Sequence, residues 1–181
     1  HIFYCKKEQD CRIRSVRLLP EHPKALDAAV EAIHSADMIV LAPGSLYTSI
    51  IPNLLVDGIA DAIRDSKALK LYVCNVMTQE GETEGYTVSD HIQALFSHSY
   101  PGLFRLCLTN STPIPEVIAL RYAQEGAEPI RHDVEKCRAL GVELIDRPVA
   151  ALENGLVRHN PGHLAHELMT IYEEYKPKDP A

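Results

Sequence analysis

Tryptophan is absent and only 3 phenylalanines occur in 181 residues, so any core must be built mainly from aliphatic side chains. No apolar run approaches the roughly 18 residues that a bilayer span requires, which excludes a transmembrane helix. The five cysteines, at positions 5, 11, 74, 107 and 137, form no CxxC pair. That spacing excludes zinc ribbons and disulfide scaffolds, and the odd count fits a reduced, cytoplasmic chain. Basic residues are in deficit, 18 against 25 acidic ones, and the formal charge of −7 argues against a nucleic-acid footprint. The nine glycines make neither GxGxxG nor GxxxxGK[ST], so neither a dinucleotide fingerprint nor an ATP-type P-loop is present. No GxSxG elbow appears. The first residue is His1 rather than Met, with no charged-then-apolar leader in view.

What remains is the composition of one soluble globular domain, with 46% hydrophobic and 24% charged residues. Two short β segments are expected first, at Ile2-Phe3-Tyr4 and over Arg12 to Leu18. Helical and strand patterns then alternate. Apolar residues at 26, 29, 30 and 33 mark a helix within Pro23 to His34, and Met38 to Leu41 reads as a strand buried on both faces. Pro52 to Arg64 reads as one helix. Leu71 to Cys74 is a second strand, and Asp90 is expected to cap a helix over Ile92 to Phe96. Leu106 to Leu108 is a third strand, followed by a helix over Pro115 to Gln124. Beyond Gly126 come a β segment near Ile130, a short helix around Cys137, and β segments at 142–145 and 149–157. Gly162 to Tyr175 closes the domain as a helix, and Lys176 to Ala181 reads as a loose tail. This alternation predicts βαβ crossovers and a mostly parallel α/β sheet with helices on both faces, as one domain over residues 1–175.

In such a sheet, ligands bind beyond the carboxyl ends of the strands. The loop Ala42 to Ser49 supplies a glycine and three hydroxyl residues between a buried strand and a helix start. Free N–H groups there suit a phosphate or carboxylate, although a tight turn with a helix cap has the same composition. Asn75 to Thr87 lacks periodicity and reads as a functional, mobile or solvated acidic loop; Asn75 could offer its amide to a ligand, and Tyr86 could stack on a ring. Asn110 to Pro115 repeats an asparagine at a strand end. His159, His163 and His166 are spaced for one helix face. A solvated polar face is preferred to a metal site, because no HExxH accompanies them. Cys74 reads as a small buried hydrophobe.

Residues 36–56 (ADMIVLAPGSLYTSIIPNLLV) and 73–91 (VCNVMTQEGETEGYTVSDH) closely resemble the bacterial gluconeogenesis factor family, also described as YvcK-like. That family is related to the CofD 2-phospho-L-lactate transferases. The resemblance continues through Arg121 to Glu125 and Leu156 to Asn160. It implies a cytoplasmic, Rossmann-like protein that binds a UDP-sugar such as UDP-N-acetylglucosamine and acts in cell-wall morphogenesis during gluconeogenic growth. On that basis Gly44, Ser45, Thr48 and Ser49 would hold a diphosphate, and Asn75 and Thr78 would fix a ribose, sugar or phosphate oxygen. Tyr122 would stack on the base or sugar, and Arg158 would neutralise the diphosphate. The alternative is transfer of phosphoryl-lactate from a nucleotide donor to a deazaflavin hydroxyl, with Mg2+ bridging the diphosphate. A cell-wall enzyme partner and homo-oligomers stay open on this reading. Two departures stand out. Ala42 replaces the glycine usual before Pro-Gly-Ser, and the family's N-terminal Gly-Gly-Gly-Thr-Gly segment is missing from this sequence, so half of the phosphate cradle would lie outside it.

Overall fold

The computed structural model describes residues 12–176. The strand expected at Ile2-Phe3-Tyr4 and the tail past Lys176 lie outside the described residues. Helix α1 (Asp27–Ser35) leads into β1 (Met38–Leu41), followed by a π-helical turn (Leu46–Ile50) continuous with α2 (Ile51–Leu54). Then come α3 (Ile59–Asp65), β2 (Leu69–Val73), α4 (Val88–Ser97), β3 (Leu106–Asn110) and α5 (Glu116–Gln124). The chain finishes with α6 (Val134–Ala139), β4 (Glu143–Arg147), the hairpin strands β5 (Ala150–Glu153) and β6 (Leu156–His159), and α7 (Pro161–Tyr175).

The sheet is four-stranded and wholly parallel, in the order β1-β2-β3-β4. Strands that follow one another in chain order carry their crossovers on one face when each crossover is right-handed. The two cores show this division. Leu41, Tyr72 and Cys107 point to the face covered by the connecting segments, through Leu46, Ile51, Leu54, Ile92, Leu95 and Cys137. Leu71, Val73, Leu106, Leu108 and Ile145 point to the other face, where α7 lays Leu164, Leu168 and Ile171 against them. Helices therefore cover both faces, unequally, and the near-continuous apolar runs of β1 to β3 follow from that double burial.

Several boundaries differ from the sequence reading. Residues 12–18 form no strand; the Val16 N–H donates to His98 Nε2 at 3.1 Å instead of to a neighbouring strand. The helix expected over Pro52 to Arg64 is broken by a turn at Gly58, whose φ of +97° a side chain would strain. Asp90 is not the N-cap of α4. Thr87 is, and the Asp90 carboxylate accepts the Thr87 N–H at 2.8 Å, which completes a capping box. The segment near Ile130 makes only isolated bridges, Met77 with Pro129 and Thr87 with Arg131. The β segment at 149–157 is a hairpin that turns at Asn154-Gly155, where both residues have positive φ. His159 ends β6, while His163 and His166 lie on α7, so the three histidines do not share one helix face.

Candidate functional site

Asn75, Asn110 and Thr112 line a crevice of about 330 Å³ beyond the carboxyl ends of β2 and β3, with Val76, Pro129, Ile130 and His132 on its walls. A larger cavity, about 540 Å³, is lined by Arg17, Asp57 and Tyr100 among others and touches none of the loops that follow the strands. Topology favours the smaller one, since an open parallel sheet presents its ligand crevice at the carboxyl ends.

The predicted residues fall into two groups on either side of Asn75. Gly44, Ser45, Thr48 and Ser49 follow β1. Gly44 donates its N–H to Asn75 Oδ1 at 3.2 Å, and Asn75 Nδ2 donates to Gly44 O at 2.8 Å. Ser45 Oγ donates to Gln79 Oε1 at 2.9 Å. Gly44 and Ser49 also line a groove of about 370 Å³ beside β1. Thr48 and Ser49 are exposed.

The second group surrounds Val76 and Met77, which pack with Ala150, Val157, Ile118 and Tyr122. Tyr122 Oη accepts the Val157 N–H at 2.9 Å, which ties α5 to the hairpin and sets the exposed Arg158 next to that anchor. Thr78 is buried and its hydroxyl accepts the Glu128 N–H at 2.8 Å. Val157 packs on Tyr122, so the exposed Arg158 beside it on β6 projects from the opposite face of the hairpin, and of the expected site residues only Asn75 lines the crevice.

The segment from Asn75 to Thr87 is no solvated loop. Val76, Met77, Thr78, Glu82, Thr83 and Tyr86 are all buried. Tyr86 is a core residue whose hydroxyl lies 2.9 Å from that of Tyr47, with its ring edge-on to His91, so it has no face for a ligand ring. Glu82 was not singled out by sequence pattern. It is 3% exposed, and neither carboxylate oxygen has a hydrogen bond of full geometry. Burial raises its pKa, opposed in part by the Thr48 hydroxyl and the N–H groups of Tyr47, Thr48 and Leu46. The N–H groups that the Ala42 to Ser49 loop offers to a phosphate therefore face a carboxylate of the chain itself.

His132 and Asp146 also lacked a sequence signal beyond their polarity. His132 Nδ1 stands 3.1 Å from Asp146 Oδ1, and the buried Thr109 hydroxyl donates to the same oxygen. Among the described residues no three of His, Cys, Asp and Glu are grouped to hold a metal ion. Cys74 is buried in the sheet core, as expected of a small hydrophobe, with Cys107 and Cys137 nearby.

The fold is an open parallel α/β domain with a crevice at the carboxyl edge of its sheet. The chain belongs to the 2-phospho-L-lactate transferase CofD family, whose profile matches residues 2–150. Similar curated proteins are the gluconeogenesis factors of Halalkalibacterium halodurans (45% identity, 87% of this chain and 49% of that protein) and of Bacillus subtilis (41%, 90% and 51%). A crystal structure of protein BH3568 from Bacillus halodurans superposes with a TM-score of 0.84 at 45% identity, covering 87% of this chain and 51% of that one. A second structure of that protein, described there as a UPF0052 family member, gives a TM-score of 0.86 at 43% identity, covering 92% and 54%. The chain spans about half the length of the curated relatives it matches. No helix among the described residues is long and apolar enough to cross a membrane.

Proposed function

We propose that the chain binds a nucleotide sugar of the UDP-N-acetylglucosamine type and serves, in the cytoplasm, as a gluconeogenesis factor controlling cell shape and cell-wall morphogenesis. The observation that carries this reading is the crevice at the carboxyl ends of β2 and β3, where Asn75 lines the wall and bonds the Gly44 turn. Its walls mix apolar side chains with a few polar groups, the usual make-up of a small-molecule site. In this reading Gly44, Ser45, Thr48 and Ser49 take the diphosphate, Asn75 and Thr78 a ribose, sugar or phosphate oxygen, Tyr122 the base or sugar, and Arg158 the diphosphate charge. Calorimetric titration of the full-length protein with UDP-N-acetylglucosamine should give saturable binding. Absence of heat at millimolar ligand sinks the reading.

The family profile supports a second reading, phosphoryl-lactate transfer to a deazaflavin hydroxyl. Incubation with a nucleotide-linked phospholactate and a deazaflavin acceptor, followed by mass spectrometry, separates the two, since only transfer leaves an acceptor heavier by the phosphoryl-lactate group.

A further inference from the structure

We propose that His132, held by Asp146, is the group in this crevice that contacts a phosphoryl oxygen of the ligand. This rests on the nucleotide-sugar reading and assigns the anion contact within it.

Of the residues lining the crevice, only His132 can carry a charge. The two asparagines beside it are engaged by backbone. Asn75 exchanges both amide ends with Gly44. Asn110 Oδ1 accepts the N–H groups of Thr112 at 3.1 Å and Ala150 at 2.9 Å, while its Nδ2 donates to Thr112 O at 2.9 Å. These amides shape the walls and keep one N–H each for a ligand, but neither can carry charge. His132 differs. Its Nδ1 faces the Asp146 carboxylate, which fixes the ring and its tautomer, as carboxylates do for functional histidines. Asp146 is itself braced by Thr109, a hydroxyl on β3 that is 1% exposed.

The chain Thr109–Asp146–His132 therefore runs from a buried hydroxyl on β3, through the exposed Asp146 on β4, to the crevice wall. With Nδ1 committed, Nε2 is the ring atom left for a ligand. A doubly protonated ring donates Nδ1–H to Asp146 and Nε2–H to a phosphoryl oxygen, the second a charge-assisted bond. The N–H groups after Ser45 already face the buried Glu82 carboxylate. His132 thus adds to the nucleotide-sugar reading an anion contact on the crevice side of Asn75.

The test uses His132→Gln, His132→Ala and Asp146→Asn in the full-length protein, titrated with UDP-N-acetylglucosamine and with inorganic pyrophosphate. Long-range 1H–15N spectra follow the ring nitrogens of His132 in the wild type. His132 is a quarter exposed, so its variants should keep the wild-type melting temperature. The expected result is at least a tenfold loss of affinity for both probes in the His132 variants, a smaller loss in Asp146→Asn, and a shift of the Nε2 resonance on adding pyrophosphate. Nucleotide-sugar binding that survives His132→Gln undiminished overturns this assignment and leaves the proposed function standing. A pyrophosphate-induced Nε2 shift without nucleotide-sugar binding does the reverse. Binding of neither probe overturns both.

Discussion

The side chain of Asn75 and the peptide of Gly44 exchange two hydrogen bonds, one in each direction, across the carboxyl ends of β1 and β2. Leu41 and Tyr72 are the last paired residues of that ladder. A primary amide presents the same donor and acceptor as a peptide, so Asn75 continues the ladder with a side chain where the main chains diverge. Asn75→Ala would leave the half-buried N–H and C=O of Gly44 unpaired. The expected cost is about 1–3 kcal/mol, read as a lower melting temperature and lower denaturation midpoint. Wild-type stability in this variant would mean that the Gly44 turn is held by other contacts.

Glu82 gives a pH prediction of definite sign. Burial raises its pKa above the reference value of 4.5, so folding favours the protonated acid. Its stabilising share is complete below pH 4.5 and is lost as pH rises through the folded value. Glu82→Gln keeps the shape and removes the titration. The melting temperature of the variant relative to wild type should therefore climb between pH 4 and pH 7. A difference that is flat with pH contradicts the buried, unpaired carboxylate.

Tyr122 separates two roles that its sequence position does not. Its hydroxyl accepts the N–H of Val157, itself buried, while its ring packs beside Val76 and Met77. Tyr122→Phe keeps the ring for stacking on a ligand and removes the anchor of the hairpin. Stability should fall by about 1–2 kcal/mol, the usual cost of stranding a buried N–H. Arg158→Ala, at an exposed position, should leave the melting temperature unchanged and weaken nucleotide-sugar binding. The reverse pattern, with Tyr122→Phe silent in thermal melts, would show that Val157 N–H finds another partner.

The parallel sheet was legible because β1, β2 and β3 are buried on both faces and so read as unbroken apolar runs. The hairpin was legible in principle too, since Asn154-Gly155 is the residue pair that a type I′ turn demands. Arg12 to Leu18 shows why pattern alone fails. Its β-like alternation finds no strand to pair with among the described residues, and His98, just past the end of α4, takes the Val16 N–H instead. The turn at Gly44 and the asparagine after β2 were legible because a loop follows a buried strand. The surroundings of Glu82 and His132 were not, because their partners are distant in sequence. Glu82 meets Leu46 to Thr48, and His132 meets Asp146 on the next strand. No local spacing encodes such meetings.

Ser45→Asp tests whether a diphosphate reaches the Gly44 turn at all. Considered alone, a carboxylate at a helix start is favoured by the free N–H groups and the dipole, and the fold would gain slightly. In this structure those N–H groups already face Glu82, and Ser45 Oγ donates to Gln79. The new carboxylate thus loses a hydrogen bond and meets a second acid, so the melting temperature should fall modestly rather than rise. Its effect on binding depends on where the phosphates lie. At an effective dielectric of about 20, two unit charges about 4 Å apart repel by roughly 4 kcal/mol. About a third of that, after screening and relaxation, weakens binding roughly tenfold. Ser45→Ala serves as the control, since it removes the Gln79 bond without adding charge and should change affinity little. A tenfold loss confined to Ser45→Asp would put the diphosphate within reach of both Ser45 and His132, one on each side of Asn75. Unchanged affinity in Ser45→Asp, together with loss in His132→Gln, would place the phosphates wholly in the β2–β3 crevice and leave Gly44-Ser45 as a turn braced by Asn75 and Gln79.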